Sequence, residues 1–139
     1  MLQKPTSYIL CLCSSGDSSS KVVAGTMTTL AGRVGLHRLK FESIEMSNQI
    51  GDRSVLSKFG KYICFLCSRE ANRDCLLNQG INRNRIFVVN ESAGGLPYLP
   101  KRDYYKMIEE VAELINSQAH TIFPFIRRQC SSLNHLVAR

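Results

Sequence analysis

Cys13 is the residue whose type and setting are best suited to chemistry in this 139-residue chain. It closes a short apolar run, Tyr8-Ile9-Leu10-Cys11-Leu12-Cys13, long enough for one buried strand. A block of small polar residues follows, Ser14-Ser15-Gly16-Asp17-Ser18-Ser19-Ser20, rich in turn and helix-capping types. Beyond Lys21, the residues Val23, Met27, Leu30 and Val34 recur at helical spacing, and Gly35 stands where a helix ends. A thiol between a strand and a helix start meets free backbone N–H groups and a partial positive charge. Those groups bind anions and stabilise thiolates. The anion- or cofactor-binding positions would be Ser14, Ser15, Gly16, Ser18 and Ser19.

Leu39 and Phe41 alternate in a half-exposed second strand within residues 36–46, and residues 47–59 suggest a loop with a short helix. Residues 61–67, Lys-Tyr-Ile-Cys-Phe-Leu-Cys, form the clearest strand, apolar on both faces as in a sheet covered by helices on both sides. Ser68 is placed to cap a helix over 69–79 that stops at Gly80, and residues 85–89 make a fourth strand. A Gly- and Pro-rich loop spans 91–100. A last helix runs from about residue 101 or 103 to Ser117, with Tyr105, Ile108, Ala112 and Ile115 on one face.

Strand alternating with helix predicts a three-layer α/β sandwich around a four-stranded parallel sheet of order 2-1-3-4. Residues 1–119 would form this single domain, and 120–139 a basic and apolar C-terminal tail, open to packing on the domain, to homo-oligomer contacts or to remaining loose. In that order strands one and three are neighbours, and their C-terminal ends share the edge where such sheets bind ligands. Cys13 and Cys67 would both emerge there. Strand alternation turns Cys11 and Cys13 to one face and sets Cys64 and Cys67 on opposite faces. Cys11 and Cys64 read as core, Cys75 as buried in its helix, and Cys130 is unassigned.

The pair Cys13 and Cys67 suggests a shared site for a soft metal such as zinc. A zinc site usually takes four ligands, so Cys64, Asp17, a histidine, water or a second chain would have to complete it. His37, His120 and His135 lack metal-ligand spacing. Composition sets the rest. The chain is 44% hydrophobic and 21% charged, with six cysteines and no apolar run near membrane-spanning length. Met1 to Pro5 lacks signal-peptide character, so a reducing, cytoplasmic setting is expected. The net charge of +7 is spread along the chain without an aromatic-interleaved basic stripe, which disfavours a nucleic-acid partner.

Two family resemblances follow from these residues. Cys13-Ser14-Ser15-Gly16, Lys21 to Thr26, and Leu66-Cys67 through Gly80-Ile81 into Arg85 to Val89 resemble the DGC-domain zinc-binding proteins. That resemblance implies Cys13 and Cys67 as metal ligands, with Ala71 standing where the family has a further cysteine. The strand ending in cysteine, the small-residue loop and the helix also resemble low-molecular-weight protein tyrosine phosphatases and related arsenate reductases. That resemblance implies Cys13 as nucleophile, an arginine six positions on and a late Asp-Pro acid; this chain has Ser19 and Leu99-Pro100 there. Phosphocarrier domains of sugar-transport systems likewise place a cysteine after the first strand. The loop Gly16 to Lys21 falls short of a nucleotide-binding P-loop, with Val22 where magnesium needs Ser or Thr. The functional expectations are a thiol-based zinc-type site; as the alternative, phosphotransfer or phosphatase-like chemistry at the loop after strand one; and, third, an interaction module using the apolar tail.

Overall fold

A computed structural model describes residues 6–46, 59–100 and 107–137, the last six of these for their backbone only. The loop and short helix expected within 47–58, and the first turn expected near 101–103, lie outside the described residues. The strands are β1 (Ser7–Ser14), β2 (Leu39–Met46), β3 (Tyr62–Cys67) and β4 (Ile86–Val88). The helices are α1 (Ser19–Arg33), α2 (Glu70–Asn78) and α3 (Ile108–Val137). All sheet pairings are parallel and the order is β2-β1-β3-β4, as the alternation of elements predicts.

The sheet is the middle of three layers. On one face Ile9 and Cys11 of β1 join Cys64 and Leu66 of β3 against α1 (Val23, Met27) and α3 (Val111, Ile115, Ile122). On the other, Leu10 and Leu12 join Phe65 and Cys67 against Leu76 of α2 and Phe59. Every residue of β3 is buried, which explains why its sequence is apolar without alternation. On α1 the apolar row fades outward: Val23 and Met27 are fully buried, Leu30 is half-buried, and Val34 is 63% exposed. Gly35 and Gly80 both adopt positive φ after their helices, the conformation a C-terminal glycine supplies.

Two helix ends differ from the sequence reading. Helix α2 takes Arg69 rather than Ser68 as its cap: Asn72 Oδ1 accepts from the Arg69 amide at 3.0 Å, while Ser68 Oγ is buried with no partner among the described residues. Helix α3 does not stop at Ser117; it continues through Pro124 to Val137. Pro124 removes a helical hydrogen bond at about 3 kcal/mol. Burying Ile122, Phe125 and Ile126 returns roughly 1.5–3 kcal/mol each, so packing outweighs the local penalty. The apolar side chains assigned to a tail are thus part of the core.

Candidate active-site loop

The loop after β1 lies at the carboxyl edge of the sheet and is tied down from several sides. Gly16, at φ +82°, turns the chain just beyond β1. Its carbonyl accepts from Tyr98 Oη at 2.9 Å. The backbone of Ser18 donates to Leu99 O at 2.9 Å, and Asp17 pairs with Pro100 in an isolated antiparallel bridge. Ser15 donates its amide to Met46 O at the end of β2, and Asn72 Nδ2 donates to Ser14 Oγ at 3.3 Å. The loops that follow β1 and β4, the end of β2 and the start of α2 therefore meet here.

Asp17 is the centre of this junction. It is fully buried, and its carboxylate accepts three hydrogen bonds. Ser19 N and Leu99 N donate to Oδ1 at 2.9 and 3.0 Å, and Ser19 Oγ donates to Oδ2 at 2.8 Å. Ser19 is the first residue of α1, so Asp17 supplies the negative charge that a helix start favours. Ser18 stands at the cap position but makes no side-chain cap. The amides of Ser15, Asp17, Ser18, Ser19 and Lys21 all donate to acceptors within the protein. An anion cradle needs several such amides converging on the ligand.

The nucleophile candidate is equally enclosed. Cys13 has no exposed surface. Its Sγ lies 2.8 Å from Ser20 Oγ and 3.2 Å from Asp17 O. Burial pushes its pKa up, the Ser20 contact pulls it down, and the nearby charges of Asp17 and Glu45 raise it further; the balance is upward. A helix start ordinarily lowers a thiol pKa, but desolvation wins here. Cys11, Cys64 and Cys67 are raised too, chiefly by burial.

Cys13 and Cys67 do not form a shared site. Leu12 is paired with Cys67 in the β1–β3 register, and both belong to the core on the α2 side. Cys13 alternates with Leu12, so it falls on the face of Cys11, toward α1. The sheet itself separates the two sulfurs. Among the described residues no group of three or more His, Cys, Asp or Glu side chains is arranged to hold a metal ion. The zinc-binding expectation is therefore corrected. The anion-binding candidates run from Ser14 at the end of β1 through Ser15, Gly16 and Ser18 to Ser19 at the start of α1, and Ser18 and Ser19 are buried. The sequence singles out neither Asn72 nor Tyr98, and marks Leu99 only as standing where the phosphatase resemblance has an acid. Asn72 had a sequence signal, a side chain at the third helical position able to reach back to the cap; Leu99 acts through its backbone and had none.

Comparison with known proteins bears on the fold. No protein-family model and no curated protein sequence matches the chain. Solved structures do. YfkJ from Bacillus subtilis superposes with a TM-score of 0.63 at 16% identity, covering 91% of this chain and 98% of that one. The low-molecular-weight protein tyrosine phosphatase from T. tengcongensis gives 0.57 at 16%, covering 83% and 99%. A mutant of YwlE from Bacillus subtilis gives 0.58 at 17%, covering 84% and 98%. The fold is that of the low-molecular-weight phosphatases. At these identities the likeness concerns the fold alone. Of the two sequence resemblances it favours the phosphatase one, and the DGC-domain resemblance finds no support.

Proposed function

We propose that this protein is a phosphatase-fold binding protein that does not turn over phosphate esters, its β1–α1 loop being a self-satisfied structural junction. The observation that carries the reading is the buried Asp17 carboxylate, which takes Ser19 N, Ser19 Oγ and Leu99 N at the start of α1. A phosphate dianion at that helix start would meet a resident negative charge and amides already engaged. Ser19 stands where the phosphatase resemblance requires an arginine to clamp the dianion, and Leu99 where it requires an acid. Transfer through Cys13 alone is disfavoured because its thiol is buried and its pKa is raised. All six cysteines are unpaired, which fits the reducing, cytoplasmic setting we assign.

The test is an assay with 4-nitrophenyl phosphate, a phosphotyrosine peptide and a phosphoarginine peptide. We expect turnover at the buffer blank, and no thermal stabilisation by inorganic phosphate. Hydrolysis that disappears in Cys13→Ser would overturn the reading. A combined Asp17→Asn and Ser19→Arg variant removes the resident charge and restores a clamp. It should bind inorganic phosphate at least about ten-fold more tightly than the parent, roughly 1.4 kcal/mol.

A further inference from the structure

A cavity of about 710 Å³ opens at the other end of the sheet, where β1, β2 and β3 begin. It is bounded by Ser7, by the turn from Gly35 to Leu39, by Lys61 and Ile63, and by α3 from Phe123 to Ser131. Its size is that of a small-molecule site, with an apolar floor and a few polar groups at the rim. Ile63 and Ile126 are core side chains that also face it, and Leu39 and Phe123 are half-buried beside them.

The rim is cationic. Arg38 and Arg127 are exposed and form no ion pair with any described residue, and His37 stands beside Arg38. Lys61 differs, because its Nζ is 3.0 Å from Glu42 Oε1 and lies over the Tyr8 and Tyr62 rings. No lining residue is acidic. Two guanidinium groups with no ion-pair partner among the described residues, above an apolar floor, suit one negative charge on an apolar body, since an arginine fork fits both carboxylate and phosphate.

We propose that this cavity binds a small amphipathic anion, an acyl or aromatic body on Leu39, Ile63, Phe123 and Ile126 with its head group on Arg38 and Arg127. Cys130 supplies a reporter. Its half-exposed thiol lines the cavity, 3.9 Å from Ser7 Oγ. The inference is independent of the reading given to the β1–α1 loop, because the two sites occupy opposite ends of β1.

The experiment titrates the full chain calorimetrically with sodium octanoate, octyl phosphate, 1-octanol and sodium acetate, and follows alkylation of Cys130 by N-ethylmaleimide in parallel. At least one of octanoate and octyl phosphate should bind about ten-fold more tightly than both octanol and acetate and slow Cys130 alkylation; the tighter of the two names the head group. Arg38→Gln combined with Arg127→Gln changes exposed side chains only. It should weaken the anions by about ten-fold and leave octanol unchanged. The inference is overturned if neither anion protects Cys130, if octanol binds as tightly as the anions, or if the double variant binds them as the parent does.

Discussion

The two ends of this parallel sheet have been finished in opposite ways. At the carboxyl edge the chain brings its own anion: Asp17 is buried within the β1–α1 loop, and Ser19 and the backbone of Leu99 donate to it. At the amino edge two arginines stand over an apolar cavity, and no carboxylate among the described residues pairs with them. Parallel α/β sheets ordinarily take ligands at the carboxyl edge. That preference rests on unsatisfied amides and charge at the helix starts, and on the reading proposed above it would be lost where the protein satisfies them itself.

Breaking the sealed edge should have the largest effect. Asp17→Ala strands the Ser19 and Leu99 amides without an acceptor, and should cost about 3–4 kcal/mol in a denaturant titration. Asp17→Asn keeps the acceptor at Oδ1 and should cost no more than half as much; equal losses would mean that the hydrogen-bond geometry is not what holds the loop. Gly95→Ala comes next. A methyl group there would stand 2.5 Å from Ser68 O and 2.6 Å from Arg69 Cα, at a residue whose φ is +132°. The loop after β4 must then move away from the start of α2, for an expected loss of about 2–3 kcal/mol.

Thiol reactivity distinguishes the two edges without altering the fold. In native protein near pH 7, N-ethylmaleimide should modify Cys75 and Cys130 and spare Cys11, Cys13, Cys64 and Cys67, as read by peptide mass spectrometry. Because its pKa is raised, Cys13 should gain reactivity only as pH climbs above the ordinary thiol range. Fast modification of Cys13 at neutral pH would open the sealed edge to doubt. The smallest effect belongs to the rim of the amino edge. Tyr62 Oη, at 2.5 Å, and Lys61 hold the Glu42 carboxyl below its usual range. Its stabilisation is therefore full above the unfolded carboxylate pKa and is lost as pH falls through the lowered folded value. Glu42→Gln should remove about 0.5 kcal/mol at pH 7, since the pair is largely solvent-screened, and progressively less as the pH falls through the carboxylate range.

Much of the architecture was legible because it follows from local periodicity. The continuous apolar run of β3 announced a strand buried on both faces, and Gly35 and Gly80 marked helix ends. The α3 boundary was not legible. Ser117 and Pro124 argue locally for a stop, and only the burial of Ile122, Phe125 and Ile126 carries the helix through. At the loop after β1, the grouping of Ser14 to Ser19 was visible in sequence. The role of Asp17 was not, because its partner Leu99 N lies far along the chain and is a backbone group.

By itself the sequence determined that four strands alternate with helices, that Cys64 and Cys67 point to opposite faces, and that Cys13 opens into a loop of small residues. It could not say which face of β3 meets which face of β1. That depends on the pairing register, Ile9 with Cys64 and Leu12 with Cys67, and one residue of slip would exchange the faces. The register is fixed by whole-face packing against α1, α3 and α2, so tertiary structure alone decided that the sheet stands between Cys13 and Cys67.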